Sequence, residues 1–287
     1  MASEEIKNFA ILGYPVGHSL SPKMHEAAFK AAGYPNYNYI PIPVQKGRLM
    51  LAVEGLKGLG FRGANVTIPH KSSVMKFIDA VDSDAMIIGA VNTLVNDGGM
   101  ITGYNTDVTG FLKSLKAAQF MPEDCNAVML GAGGAARAIL WGLCKRRAGY
   151  ITIGVRNPKK AKVLEDDFCI YGNVEVMDWN SEYFRDILQT ADILINTTPL
   201  GMYPAVDEMP PVDLKLLPEG ALVYDIVYNP AKTKFLQTAE SLGYPTLNGL
   251  DMLLLQGEEA FRLFTDELPD LEIMRKVAET ELSADRK

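Results

Sequence analysis

Ala127-Val128-Met129-Leu130-Gly131-Ala132-Gly133-Gly134-Ala135-Ala136 is the stretch from which the chain is best read. Four apolar residues run into a glycine turn, and a helical segment follows as far as Lys145. Gly131 can make the tight turn, Gly133 lets a backbone approach a pyrophosphate, and Ala135-Ala136 allow a helix to pack closely on a sheet. The free N–H groups at such a helix start attract phosphate. The run departs from strict GxGxxG, because its third glycine comes one residue early and Ala136 takes the usual place. With a strand before, a helix after and a further strand at Tyr150 to Val155, it opens a βαβ unit that is expected to hold a dinucleotide. An ordinary tight strand–helix turn is the plainer alternative.

The next strand end indicates which dinucleotide. NAD sites carry Asp or Glu there, to bind the ribose 2′-OH. Here Arg156-Asn157-Pro158-Lys159-Lys160 offers three cations and no carboxylate. Arg156 can lie over an adenine and pair with a 2′-phosphate, and Lys160 sits one helical turn on. Cations are unfavourable near a helix N-terminus, so an anionic partner explains them better than a solvated basic helix start. NADP is favoured, with NAD as the alternative.

Working outward, short apolar strands alternate with amphipathic segments, as in α/β folds. Asp192 to Asn196 and Leu222 to Ile226 continue the second unit. Upstream, Phe9 to Leu12 reads as a buried strand. Ser21-Pro22 opens a helix, with Ser at the N-cap, a stripe of Met24, Ala27, Ala28 and Ala31, and Gly33 as its C-terminal glycine. Tyr39 to Val44 is a strand whose prolines place it at an edge. Gly63 to Ile68 is another, stopped by Pro69. Val91 to Val95 and Met100 to Tyr104 flank Asn96-Asp97-Gly98-Gly99, a strong hairpin turn. Asp107 can cap the helix that follows, to about Ala118. Pro122-Glu123-Asp124 looks like a linker turn. From Leu250 the chain is helical, with Pro269 separating two helices.

The 287 residues suit two domains, and 48% hydrophobic residues suffice for sizeable cores. A net charge of −7 argues against a general nucleic-acid binder or a polybasic membrane-surface protein. Cys125, Cys144 and Cys169 form no CxxC and read as small buried hydrophobes; His18, His25 and His70 form no metal spacing, so no metal is expected. His18 and His25 read as surface or locally hydrogen-bonded residues, and His70 as orienting or structural. Met1-Ala2-Ser3-Glu4-Glu5 is acidic where a signal peptide is basic, and no stretch approaches the length of a membrane helix. The expectation is a cytoplasmic protein, monomer or homodimer, with a small-molecule substrate and neither nucleic-acid nor membrane partners.

Polar residues gather at strand ends in the first unit, where open α/β sheets bind ligands. They are Ser19-Leu20-Ser21, Asn65 to Lys71, and Asn92 with Tyr104-Asn105-Thr106-Asp107. Two hydroxyls at i, i+2 make a carboxylate cradle, although capping would also explain Ser21. Lys71 follows Pro69 at an expected helix start, an unnatural place for a purely structural lysine. A lysine paired with a carboxylate can move a proton to or from a hydroxyl undergoing oxidation. Asp107 is a candidate partner, with an N-cap as its alternative role.

Eight segments, in order, resemble the shikimate dehydrogenase family. In the first unit they are Ser19-Leu20-Ser21-Pro22, Asn65-Val66-Thr67-Ile68-Pro69-His70-Lys71, Gly89-Ala90-Val91-Asn92-Thr93 and Gly103-Tyr104-Asn105-Thr106-Asp107. Beyond it are Gly131-Ala132-Gly133-Gly134-Ala135, Asn196-Thr197-Thr198-Pro199-Leu200-Gly201-Met202, Asp225-Ile226-Val227-Tyr228-Asn229-Pro230 and Asn248-Gly249-Leu250-Asp251-Met252-Leu253. They span about residues 9 to 264.

The resemblance implies an α/β fold: an N-terminal substrate domain (1–107, completed by C-terminal helices 248–287 that return to it) and a doubly wound Rossmann-type domain (108–247). It implies reversible reduction of 3-dehydroshikimate to shikimate with NADPH, as in aromatic amino acid and chorismate biosynthesis. Lys71 and Asp107 match the catalytic pair. Ser19 and Ser21 match the holders of the substrate carboxylate, with Tyr228 nearby, and Asn65, Thr67, Asn92 and Gln256 match ligands of the ring hydroxyls. Gly131, Ala132, Gly133, Gly134, Ala135, Arg156, Asn157, Lys160, Thr198, Ile226 and Gly249 fall at cofactor positions. Relatives that accept quinate, some with NAD, share most of these motifs, so a quinate or dual-specificity dehydrogenase is the alternative. A non-catalytic metabolite sensor is a reading of a different class, and the Lys71/Asp107 pair speaks against it.

Overall fold

The computed structural model describes residues 5–284. The acidic stretch Met1 to Glu4, read above as unlike a signal peptide, lies outside the described residues, as does the end of the chain after residue 284. The elements in chain order are β1 (Lys7–Gly13), α1 (Ser21–Ala31), β2 (Tyr37–Pro43), α2 (Leu49–Gly58), β3 (Gly63–Val66), β4 (Ala80–Val81), α3 (Ser83–Ile88), β5 (Thr93–Asp97), β6 (Met100–Tyr104) and α4 (Asp107–Ala117). There follow β7 (Asn126–Leu130), α5 (Gly134–Lys145), β8 (Tyr150–Val155), α6 (Pro158–Phe168), β9 (Val174–Asp178), α7 (Glu182–Leu188), β10 (Ile193–Asn196), β11 (Leu222–Asp225), α8 (Lys234–Ser241), β12 (Thr246–Leu247), α9 (Leu250–Thr265) and α10 (Leu271–Ala284).

These elements form two compact units, one of residues up to Gly110 together with Leu254 onward, the other Phe111–Leu253. The sequence places the boundaries after residue 107 and before residue 248. In the structure both fall a few residues later, inside α4 and α9.

The first unit is built on a mixed sheet of order β2-β1-β3-β5-β6-β4. β1 runs parallel to both β2 and β3, and β5 and β6 form the expected antiparallel hairpin. Gly98 and Gly99 take φ of 57° and 96° in its turn, a region that favours glycine, and Gly99 N–H donates to Asn96 Oδ1. Proline-rich β2 lies at the sheet edge, where its missing N–H donors disrupt no ladder. On α1 the buried face is Met24, His25, Ala28 and Phe29 rather than the alanine stripe; Ala27 is half-buried and Ala31 exposed. Bulk decides this face: Phe29 packs in tilted ring contacts against Phe9 and against Phe261 of α9. Leu254 and Phe261 of α9 are buried in the same core.

The second unit has an all-parallel sheet of order β12-β11-β10-β7-β8-β9. Counting β7 as first, this is the 3-2-1-4-5-6 order of a dinucleotide-binding fold, with its switch point between β7 and β10. Ala127 to Leu130 are all at most 1% exposed, the near-continuous apolar run of a strand covered on both faces. Cys125 and Cys144 are buried as expected, but Cys169, on the last turn leaving α6, is exposed. Among the described residues no helix is long and apolar enough to cross a membrane.

Candidate active site

In the first unit the site begins at two parallel strand ends. β1 and β3 pair up to Leu12 and Val66, so the segments that leave them start side by side. Thr67 N–H donates to Leu12 O at 2.8 Å and Tyr14 N–H to Ile68 O at 3.0 Å, tying the two exits together. The exit from β1 carries Ser19 and Ser21. Leu20, not Ser21, occupies the N-cap of α1, and no side chain caps that helix start. Ser19 Oγ instead accepts from Ser21 N–H at 3.3 Å, so the local turn uses Ser19 and leaves the Ser21 hydroxyl out of capping.

The exit from β3 carries Thr67 and Lys71. The expected helix start at Lys71 is a turn followed by one short 3-10 turn, Val74–Lys76. Backbone and ring contacts fix this turn. Val91 N–H donates to Lys71 O at 2.8 Å, and the His70 ring Nε2 lies 2.6 Å from Val44 O. His70 is thereby structural.

Lys71 Nζ donates to Asp107 Oδ2 at 2.5 Å, with side chains 17% and 9% exposed. Asn92 Nδ2 donates to Asp107 Oδ1 at 2.8 Å. Both carboxylate oxygens are therefore held, which replaces the capping role considered for Asp107. Asn92 is itself clamped: its Oδ1 accepts from Thr106 N–H at 2.7 Å and from Thr93 Oγ1 at 3.0 Å. Thr106 Oγ1 also reaches Gln256 Oε1 of α9 at 3.3 Å, which brings the C-terminal helix to the same cluster.

Asn65 faces inward. Its Nδ2 donates to Asn92 O (3.2 Å) and Thr93 Oγ1 (3.0 Å), and its Oδ1 accepts from Tyr39 O–H (2.6 Å). Both amide hydrogens meet protein acceptors, as those of Asn92 do, and they tie Asn65 to the strand end carrying Asn92. The sequence gives Tyr39, Thr93 and Thr106 no role of their own, although Thr106 lies in the polar segment that ends at Asp107. A tyrosine on an apolar strand reads as core, and its hydroxyl partner comes from a segment 26 residues away. His25 is neither a surface nor a fully hydrogen-bonded residue: it is 1% exposed and stacks on Tyr39 at 4.6 Å. Burial pushes its pKa down to about 3.

The second unit places its candidates around the switch point. Gly131, at φ +107°, ends β7; a Cβ there would meet Thr198 Cγ2 at 2.8 Å and Thr197 Oγ1 at 2.9 Å. Gly133 is the N-cap of α5 and no side chain caps the helix, so the first N–H groups of Gly134 and Ala135 are left for an anion. A Cβ at Gly133 would meet nothing within 4 Å, so the space before the helix is open. Arg156 and Lys160 are exposed after β8. Asn157 caps α6, its Oδ1 accepting from Lys160 N–H at 3.2 Å. Thr198 sits after β10, Ile226 and half-buried Tyr228 after β11. Gly249 packs against Ile226 so tightly that a Cβ would fall 1.9 Å from its carbonyl oxygen. The uncapped helix, open glycine turn and exposed cations fit a dinucleotide with an added phosphate.

A parallel sheet of this order with its glycine turn at the switch point, and a separate unit bearing a Lys–Asp pair, define a dinucleotide-dependent dehydrogenase. Residues 11–94 match the family model for the shikimate dehydrogenase substrate binding domain, and residues 249–279 that for the shikimate 5′-dehydrogenase C-terminal domain. The chain is 44% identical to a shikimate dehydrogenase (NADP+) of Methanothermobacter thermautotrophicus, over 96% of each chain. It is 46% identical to one of Moorella thermoacetica, over 96% of this chain and 93% of that one. A crystal structure of a shikimate dehydrogenase in complex with NADP+ superposes with a TM-score of 0.90 at 38% identity, over 98% of both chains. A quinate dehydrogenase of Corynebacterium glutamicum in complex with NAD shares the fold at 31% identity and a TM-score of 0.88, over 96% of this chain and 99% of that one. The chain belongs to the shikimate dehydrogenase family.

Proposed function

We propose that this chain reversibly reduces 3-dehydroshikimate to shikimate with NADPH, with Lys71 moving the proton. The observation that carries the reading is the Lys71–Asp107–Asn92 constellation, an ammonium and a carboxylate locked together at the strand ends of the first unit. A binding protein has no need of such a pair, and a proton-transfer site does.

NADPH, when bound, supplies the hydride that the C3 carbonyl accepts. Lys71 Nζ stabilises the negative charge that develops on the carbonyl oxygen and gives that oxygen its proton. Asp107 Oδ2 orients the ammonium, and Asn92 keeps the carboxylate from rotating away. In the reverse direction the amine takes the hydroxyl proton back. Ser19 and Ser21 hold the substrate carboxylate. Asn65, Thr67, Asn92, Asp107 and Gln256 bind ring hydroxyls. In the second unit Gly131 to Ala135 cradle the pyrophosphate, Arg156, Asn157 and Lys160 bind the 2′-phosphate side, and Thr198, Ile226 and Gly249 line the far end, with Tyr228 on the substrate side.

Absorbance of reduced nicotinamide, with shikimate and quinate each crossed with NADP+ and NAD+, tests this. Strong turnover with shikimate and NADP+ alone is the expected result. Comparable turnover with quinate or NAD+ moves the chain to the dual-specificity branch, and a folded chain silent in all four combinations overturns the reading.

A further inference from the structure

Asp225 ends β11 and is fully buried, yet among the described residues no cation pairs with it. Its Oδ2 accepts from Thr233 O–H at 2.6 Å, and its Oδ1 from Asn196 Nδ2 at 2.9 Å and from Val227 N–H at 3.1 Å. A carboxylate without a cation in such a place needs a reason, because burial penalises its charge. Burial indeed raises its pKa to about 6, against the pull of these three donors.

The three donors belong to three separate pieces of chain. Asn196 ends β10. Thr233 is the N-cap of α8, where its Oγ1 also accepts from Leu236 N–H. Val227 lies in the segment leaving β11 and accepts from Gly249 N–H at 3.2 Å. Asn196 passes the constraint on: with its Nδ2 fixed by Asp225, its Oδ1 accepts from both Thr198 N–H at 3.0 Å and Thr198 Oγ1 at 2.6 Å. Asn196 O further accepts from Ile226 N–H at 3.1 Å. Thr198, Ile226 and Gly249 are thus each two hydrogen bonds from a single carboxylate. An acceptor-only group suits this task, since it can hold several donors at once and itself offers no proton that would let the Asn196 amide flip.

We propose that Asp225 is a positioning residue for the dinucleotide: acting through Asn196, Thr233 and Val227, it sets the segments after β10 and β11 against which the cofactor binds. The proposal rests on the reading that NADP occupies the second unit. Asp225 acts without touching the cofactor, so its removal is expected to weaken binding rather than chemistry.

The test uses the full chain and calorimetric titration with NADP+ and, separately, with shikimate. Asn196→Ala cuts the link between Asp225 and Thr198. It is expected to weaken NADP+ binding at least tenfold and leave shikimate affinity within twofold, with amide exchange faster at residues 197–201. Asn196→Asp sets a second carboxylate against Asp225 and is expected to weaken NADP+ binding similarly; adding Asp225→Asn removes the repulsion and is expected to restore most of the affinity. Folded variants that bind NADP+ as the unaltered chain does overturn the proposal. So does equal loss of both ligands, which marks a merely structural residue. An unaltered chain that binds shikimate but not NADP+ overturns the cofactor reading itself, and the positioning role falls with it.

Discussion

Lys71 Nζ and Asp107 Oδ2 stand 2.5 Å apart, and the residues that bring them there are 36 positions distant in the chain. The lysine comes from a proline-led turn and the aspartate from the first residue of α4. A surface pair of this kind contributes little; this one is mostly shielded and aimed at strand ends where ligands bind. Replacing Lys71 with Ala is expected to lower kcat about 10²- to 10⁴-fold, while the shikimate dissociation constant changes far less. Stopped-flow turnover and equilibrium titration of the same variant separate the two. Near-normal kcat would remove Lys71 from the chemistry.

Tyr39 O–H is the sole side-chain donor that the described hydrogen bonds give to Asn65 Oδ1, in a fully buried setting. Tyr39→Phe leaves that oxygen without it. The expected loss is about 1–3 kcal/mol of unfolding free energy, with KM for shikimate raised more than kcat is lowered. Urea denaturation and steady-state kinetics read the two quantities, and an unchanged midpoint would mean that Asn65 needs no such support.

Much of this was legible in the sequence, for identifiable reasons. Glycine turns, apolar strand runs and the Asn-Asp-Gly-Gly hairpin are local signals, and β7, α5 and the β5–β6 pair stand where those signals fall. The helices α2, α3, α7 and α8 and the strands β4, β9 and β12 are not reached from the sequence; most are short elements without a glycine turn or hairpin signal beside them. The buried face of α1 escaped because size, not the spacing of alanines, selects His25 and Phe29. The Lys71–Asp107 pairing could be offered from spacing only as one option. The layer behind it, Tyr39, Thr93 and Thr106, has no local signal, since its partners are brought together only by the order of the strands β2-β1-β3-β5-β6. Resemblance supplied Gln256, which no local pattern sets beside Thr106.

Gly133 and Gly249 separate binding from folding. A methyl group at Gly249 would fall 1.9 Å from Ile226 O, a backbone atom that cannot swing aside. Gly249→Ala is expected to cost about 1–3 kcal/mol or more through forced backbone movement, and NADP+ binding with it. At Gly133, φ is −83° and the added methyl meets nothing. Gly133→Ala should melt within a few degrees of the unaltered chain yet bind NADP+ at least tenfold more weakly, by filling the phosphate space. Thermal melts alongside calorimetry would show it; unimpaired NADP+ binding would place the pyrophosphate elsewhere.

Arg156 is exposed and follows β8, while Asn157 spends its side-chain oxygen capping α6. The guanidinium, with the Lys160 ammonium, is free to pair with a 2′-phosphate. Losing a charge-assisted hydrogen bond costs about 1.5–3 kcal/mol. Arg156→Ala should accordingly raise KM for NADP+ by about ten- to a hundredfold and leave kcat/KM with NAD+ nearly unchanged. Equal losses with both cofactors would assign Arg156 to adenine stacking alone.

His25 makes the fold sensitive to acid. Its ring stacks on Tyr39 with planes 2° apart, Phe29, Phe261 and Phe264 surround it, and its Nδ1 has no hydrogen-bond partner among the described residues. Burial lowers its pKa from 6.5 to about 3, so the folded chain keeps it neutral where the unfolded chain protonates it. The unfolded state then binds more protons, and this contribution to stability is complete above pH 6.5 and drains away as pH falls toward 3, at about 1.4 kcal/mol per pH unit. Asp225 acts in the opposite sense: its pKa rises from 3.8 to about 6, so the folded state gains protons first as pH falls through that window. The two slopes offset each other between about pH 6 and 4. His25→Phe removes the first and keeps the aromatic stack, so its stability relative to the unaltered chain should climb steadily below pH 6.5. Asp225→Asn removes the second and should make the acid limb steeper. Urea midpoints from pH 7 to 4 for the three chains measure both; parallel curves would mean that His25 finds a proton acceptor in the folded state.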